Sequence, residues 1–232
     1  KYIFYYKILM SNTYKLDYFN GRGLAETSRL LFAVAEQEYE DFRYPLNIID
    51  MKTYNMVKEE FDLDKSNNKL LGSLNKVPYL QVNEDIIPQS KAIERYIAKR
   101  FKLMGDSLIQ EAQIDSICEC IRDFKDLYQK VRKIEDEDKK KEAMTEWFTL
   151  TLPEKFKLLE NLLCKNNECF SIGYKLSLAD VVLFSFITQF FDDKESALNS
   201  IKECDKIKNI VRNVENNENL KKWLNSRPIT DI

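Results

Sequence analysis

Three features of the sequence are equipped for chemistry: Tyr18, the backbone of Val77, and the pair Gln89-Ser90. Tyr18 closes an alternating run, Tyr14-Lys15-Leu16-Asp17-Tyr18-Phe19, which is followed by Asn20-Gly21-Arg22-Gly23 and then by the stretch from Leu24 to Ala35. Alternation at period 2 predicts a half-buried strand. The closely spaced glycines permit a tight turn. Residues 24 to 35, free of Gly and Pro, favour a helix buried mostly toward its end. A phenol at a strand end beside a helix N-terminus can donate a hydrogen bond to an anion; a half-buried strand tyrosine without chemistry is the alternative. Pro78 precedes the strand-like run Tyr79-Leu80-Gln81-Val82. Proline is excluded from a central strand, so it starts this one or sits in a tight turn of the kind a cis peptide can make. Such a turn leaves the Val77 N–H and C=O open to an extended ligand. Ser90 is a candidate N-cap for a helix from Lys91 to Phe101, and a serine among free N–H groups suits a carboxylate. A plain cap is the alternative.

Composition narrows the chemistry further. The 232 residues include no histidine, which removes Ser-His-Asp and Cys-His catalysis and every His-containing metal site. Acid–base or thiol chemistry therefore falls to Tyr, Lys, Cys or carboxylates. The five cysteines, Cys118, Cys120, Cys164, Cys169 and Cys204, are odd in number and sparse for a disulfide framework. Four of them would have to converge to hold zinc, so no metal and reduced, cytosolic thiols are expected. The net charge of −2 supplies no basic surplus for nucleic acid. Polar residues break every apolar run before about 18 residues, so no membrane span is expected. Residues 1–9, KYIFYYKIL, read as an extension ahead of a start at Met10, with a genuine N-terminal extension as the alternative.

The elements that must position these residues follow the order β-α-β-α-β-β-α through residue 101. Glu38 to Tyr44 reads as a second strand, parallel to the first through the helix crossover. Asp50 to Phe61 reads as a helical piece and Asp62 to Lys69 as a mobile loop. Asn83-Glu84-Asp85 is a hairpin turn before a short return strand. From Asp106 the chain reads as wholly helical, with an apolar stripe over 107–133 and a solvated connection from Lys133 to Lys141. A helix is expected from Glu142 to Leu163, kinked at Pro153. Ser177 and Asp180 form a capping-box pattern before a buried helix, and further helices are expected over 197–214 and 216–225.

Tyr18-Phe19-Asn20, Arg22-Gly23, Ala25-Glu26, Val77-Pro78 and Gln89-Ser90, in this order and spacing, resemble the N-terminal domain of cytosolic glutathione transferases. The nearest pattern is the sigma-like class that includes glutathione-dependent prostaglandin D synthases. Ser177-x-x-Asp180 and the ending Trp223-Leu224-Asn225-Ser226-Arg227-Pro228 extend the resemblance to about 13–229. It implies an α/β thioredoxin-like N-terminal domain with a mixed four-stranded sheet over 13–101 and an all-α domain over 107–232, with residues 1–12 outside the core fold.

The resemblance also implies a site. Tyr18 would hydrogen-bond the glutathione sulfur. Val77 would pair its backbone with the cysteinyl unit, with Asn75 and Lys76 preceding it where the family commonly has Gly-Gln or Gly-Lys. Gln89 and Ser90 would hold the γ-glutamyl carboxylate, and Asp123 would reach the glutamyl amine of a neighbouring subunit, implying a homodimer. Tyr54 and Lys58 match the Trp and Lys that bind the glycine end. Leu24 stands where prostaglandin D synthases carry an arginine, which favours a general transferase. The electrophile pocket would lie near Leu24, Phe19, the 107–133 helix and the C-terminal tail. The expected function is attack of an activated glutathione thiol on hydrophobic electrophiles, in the cytoplasm, with glutathione as co-substrate and no tightly bound cofactor. A glutathione-dependent isomerase or peroxidase, or a non-catalytic scaffold, are the alternatives.

Overall fold

A computed structural model describes residues 12–50, 55–163 and 170–230. The described residues divide into two compact units, those up to Tyr96 together with 227–230, and those from Ile97 to Ser226.

In the first unit, β1 (Tyr14–Phe19), β2 (Glu40–Tyr44), β5 (Tyr79–Val82) and β6 (Asp85–Pro88) form one sheet in the order β2-β1-β5-β6. β2 runs parallel to β1 and the other pairs are antiparallel. The crossover helix α1 (Glu26–Val34) follows a short 3₁₀ turn at Gly23–Ala25. Strand alternation sends Tyr14, Leu16 and Tyr18 to one face, where the Tyr14 and Phe32 rings lie 5.6 Å apart and α1 packs. Asp17 and Phe19 point to the other face, where Phe19 meets Phe61 at 5.1 Å in a cluster with Tyr44 and Leu70. α1 differs from expectation: Glu26, Thr27, Ser28 and Arg29 are buried, whereas Ala33 and Val34 are partly exposed. At the buried start of the helix, ion pairs take up the charges of Glu26 and Arg29.

Of the helix expected over 50–61, Glu59–Phe61 is helical, Asp50 and Asn55–Val57 lie in strands, and residues 51–54 lie outside the described residues. β3 (Asn47–Asp50) and β4 (Asn55–Val57) pair antiparallel, and α2 spans Glu59–Ser66. Most of the stretch read as a mobile loop is thus helical. Glu59, Glu60 and Asp62 in the first turn and Lys65 in the last complement the helix dipole. Phe61 anchors α2 to the sheet. The helix α3 (Ser90–Arg100) begins one residue earlier than expected: the Gln89 carbonyl accepts from the Ile93 N–H at 3.0 Å, so Ser90 occupies the first turn and is not the N-cap.

In the second unit, α4 (Leu108–Arg132) is capped by Ser107, whose hydroxyl accepts from the Gln110 N–H at 3.2 Å. The connection after it is shorter than expected, since Asp136 caps α5 (Glu137–Glu146). The kink expected at Pro153 takes the form of a π-helical turn, Trp147–Thr151, just ahead of α6 (Leu152–Leu159). Proline lacks the N–H that would continue the α ladder, and the wider turn absorbs the break. The helix α7 (Leu178–Gln189) is buried from Leu178 to Ile187. The single helix expected over 197–214 is two, α8 (Lys194–Asn199) and α9 (Asp205–Glu215), followed by α10 (Glu218–Ser226). The Ser200 hydroxyl bonds the Ala197 carbonyl at 2.5 Å, and the turn closes before Cys204. Residues 1–11, and with them the expected start at Met10, lie outside the described residues.

Candidate functional site

Strand register gathers the candidate residues of the first unit. Asp17 pairs with Tyr79, and Tyr79 pairs with Pro88. Tyr18 comes one residue after Asp17, Pro78 one before Tyr79, and Gln89 one after Pro88. Tyr18, Val77 and Gln89-Ser90 therefore converge on one end of the sheet. The Val77–Pro78 peptide bond is cis. Leu74, Asn75 and Gln89 all have positive φ, at 59°, 55° and 74°. Asparagine tolerates this region better than most residues, which suits Asn75 to its positive φ. Lys76 and Gln89 are exposed, and Ser90 is half-buried. Lys58 immediately precedes α2, with its ammonium 5.2 Å from the Phe61 ring. Phe61 belongs to the cluster against which Val77 packs, so Lys58 borders the same end of the sheet. Tyr54, Cys164 and Cys169 lie outside the described residues. Asp123 is exposed on α4 in the second unit.

Tyr18 sits in a tight backbone frame. Its hydroxyl oxygen accepts the Leu24 N–H at 3.1 Å. A Cβ at Gly23, whose φ is +35°, would come within 2.5 Å of that oxygen, so only glycine lets the turn close this far. Burial raises the Tyr18 phenol above the ordinary tyrosine range, against the opposing pull of the Leu24 N–H and Arg29. The side chain thus stays protonated at neutral pH, with one hydrogen bond received and its own O–H left to donate. Leu24 itself is 58% exposed beside it, whereas Phe19 turns into the cluster under α2.

Behind Tyr18 lies a charged network that the sequence reading did not identify. Arg29, fully buried, donates to the Gly21 carbonyl at 2.5 Å and to Asp41 at 3.0 Å. It also lies 3.5 Å from Glu26, and its guanidinium is 5.9 Å from the Tyr18 ring centre. Arg43 pairs with Asp41 at 2.7 Å, and Arg227 pairs with Glu26. The run of polar residues at 26–29 ahead of an apolar segment was the available signal, because a helix covered on that side must bury them. On the opposite face of β1, Asp17 is buried beside Lys15, hydrogen-bonded to Tyr79, and pushed upward chiefly by burial.

Among the described residues, no group of three or more His, Cys, Asp or Glu could hold a metal ion. No described helix is long and apolar enough to cross a membrane. Cys118, Cys120 and Cys204 are free thiols.

Comparisons with known proteins agree with the architecture. Residues 14–99 match the family model of the glutathione S-transferase N-terminal domain, and residues 122–227 that of the C-terminal domain. Glutathione S-transferase 1 of Ascaris suum is 30% identical over 222 residues, covering 94% of this chain and 98% of the relative. The hematopoietic prostaglandin D synthase of Gallus gallus is 35% identical over 167 residues, 72% of this chain and 74% of the relative. A solved structure of a monomeric glutathione S-transferase from the hookworm Necator americanus superposes with a TM-score of 0.77 at 29% identity, covering 95% of this chain and all of that one.

Proposed function

The chain belongs to the glutathione S-transferase family, and on that premise we propose that Tyr18 activates the glutathione thiol for attack on hydrophobic electrophiles. One observation carries the reading: the Tyr18 hydroxyl receives the Leu24 N–H and keeps its own proton to give, at the sheet end where Val77 and Gln89-Ser90 converge. Donation to the sulfur favours the thiolate and lowers the thiol pKa. A charge-assisted hydrogen bond of about 1.5–3 kcal/mol lowers it by about one to two units at about 1.36 kcal/mol per unit. The thiolate attacks the electrophilic carbon, its lone pair forms the C–S bond, and the leaving group departs with the displaced electron pair.

The remaining residues hold the tripeptide. The Val77 backbone pairs with the cysteinyl unit beside Asn75 and Lys76. Ser90 and the free N–H groups at the start of α3, with Gln89, take the γ-glutamyl carboxylate. Lys58, with Tyr54, takes the glycine carboxylate. Asp123 of a second copy takes the glutamyl amine in a homodimer. Glutathione is the co-substrate, and the free thiols suit a cytoplasmic setting.

The decisive measurement is thiolate absorbance of bound glutathione against pH, for the native protein and Tyr18→Phe. The expected result is thiolate near pH 7 in the native protein and a midpoint about one to two units higher in the variant. Identical titrations would mean that Tyr18 is not the activating group. Similarity to a prostaglandin D synthase favours a second reading, endoperoxide isomerisation at the same thiolate. Leu24 opposes it by removing the arginine, and product analysis with an endoperoxide decides between them.

A further inference from the structure

We infer that Arg227 is a positioning residue for thiol activation, acting on Tyr18 through Glu26 and Arg29. The inference rests on the assignment of Tyr18 as the group that activates the thiol. Its basis is a chain of charge, buried at Glu26 and Arg29 and partly buried at Asp41, Arg43 and Arg227. Glu26, 3% exposed, stands between Arg29 and Arg227. Arg29 in turn spans Asp41, the Gly21 carbonyl of the turn that brings the Leu24 N–H to Tyr18, and the Tyr18 ring. Arg43 completes the set on Asp41 and also reaches the Asn20 side chain.

Among the described ion pairs of this network, guanidinium groups on Arg29, Arg43 and Arg227 meet carboxylates on Glu26 and Asp41. Tyr39, coupled to the same charges, is kept neutral by burial. Charges withdrawn from water are weakly screened, so the Arg29 guanidinium acts on any anion that Tyr18 faces. Arg227 sets how much of that charge Glu26 offsets. With Arg227 in place Glu26 is shared, and the Arg29 charge toward Tyr18 is only partly offset. Without it, Glu26 has Arg29 as its sole partner in the network and neutralises it. The carboxylate then draws on the same guanidinium that holds the Gly21 carbonyl.

The test is the thiolate titration of glutathione, at saturating concentration, in Tyr18→Phe, Arg227→Gln, Glu26→Gln and the double variant Glu26→Gln/Arg227→Gln. Coulombic loss of one partly buried charge across roughly 10 Å predicts a shift of about half to one pKa unit. Arg227→Gln is expected to raise the thiol midpoint by that amount, Glu26→Gln to lower it, and the double variant to return close to the native value. A purely structural role predicts instead that both single variants lose stability and move the midpoint in the same direction or not at all. That outcome, with Tyr18→Phe still shifting the midpoint, overturns the role of Arg227 alone. No shift in Tyr18→Phe overturns the activation reading and this inference together. If Arg227→Gln does not fold, the opposite-sign shift in Glu26→Gln and its reversal in the double variant decide the matter.

Discussion

Glu26 and Asp180 are both carboxylates almost wholly withdrawn from water, and they are neutralised in opposite ways. Asp180 accepts from the Ser171 N–H at 2.6 Å, the Ser177 N–H at 2.7 Å and the Ser177 hydroxyl at 2.7 Å. Its partners are dipoles, they are all local, and together they start one buried helix. Glu26 is held by full charges from its own helix and from near the end of the chain, while Arg29 Nη2 keeps a donor without a partner among the described residues. Backbone strain follows the same division. Of the seven described non-glycine residues with positive φ, only Lys102 lies in the second unit, and Leu74, Asn75 and Gln89 flank the proposed glutathione contacts. Closed local hydrogen bonding accompanies a structural cap, whereas open charge and strained backbone accompany the proposed site.

If that contrast holds, the largest effect on stability belongs to Asp180→Ala. It strands two buried N–H groups at about 1–3 kcal/mol each, for a total loss of about 3–5 kcal/mol in urea denaturation. A loss under about 1 kcal/mol would break the comparison. Tyr18→Phe should reverse the pattern. Transition-state stabilisation falls by about 1.5–3 kcal/mol, or roughly ten- to a hundredfold in kcat/KM, with denaturation shifted by less than about 1 kcal/mol. Gly23→Ala should cost both, because its Cβ collides with the Tyr18 hydroxyl at strained φ. About 1 kcal/mol of stability and about tenfold in turnover are expected.

A pH series sharpens the division. Burial holds the phenols of Tyr18, Tyr39, Tyr44 and Tyr79 above the ordinary range, Tyr44 to about 12. An acid with a raised folded pKa keeps its proton longer in the native state. The stability it carries is therefore full below about pH 10 and is lost as pH rises through the folded values. Hydrogen exchange should show amides of the first unit losing protection as the pH rises above that point, and Tyr44→Phe should flatten the loss. The smallest effect is Leu74→Gly. Leu74 is 62% exposed at φ 59°, and glycine there should stabilise by up to about 1 kcal/mol, the strain relieved less the added chain entropy.

The same contrast explains what the sequence could reveal. Tyr14–Phe19 alternates cleanly, Pro78 must open its strand, and Ser177 with Asp180 is a local capping pattern, so each was legible from neighbours in the chain. The segment from 46 to 74 was not. Asn47–Asp50 and Asn55–Val57 are too short for a periodic signal, and α2 buries only Phe61. What marks α2 as a helix is the placement of its charges. The network on Glu26 was hidden for a different reason. Arg227 lies 201 positions from its partner, and nothing in either local pattern says that the two meet. Within the proposed site, Tyr18, Val77 and Gln89-Ser90 were readable as motifs, whereas the frame that holds the Tyr18 hydroxyl depends on a close approach at Gly23 that only coordinates display.

The register that brings Asp17, Tyr79 and Pro88 into one row also defines an opposite row, where Val82 pairs with Asp85. Among the described residues the turn is pinned by Asn83, whose side chain receives the Thr13 N–H at 3.0 Å and donates to Asn12. Glu84 and Asp85 are exposed and carry no such tie to Asn12 or Thr13. The bond between them is therefore a natural place to splice in a peptide tag or a reporter domain. Length added at that point leaves the hairpin at the sheet end opposite Tyr18, and an engineer could attach this protein to a surface with the proposed site facing away.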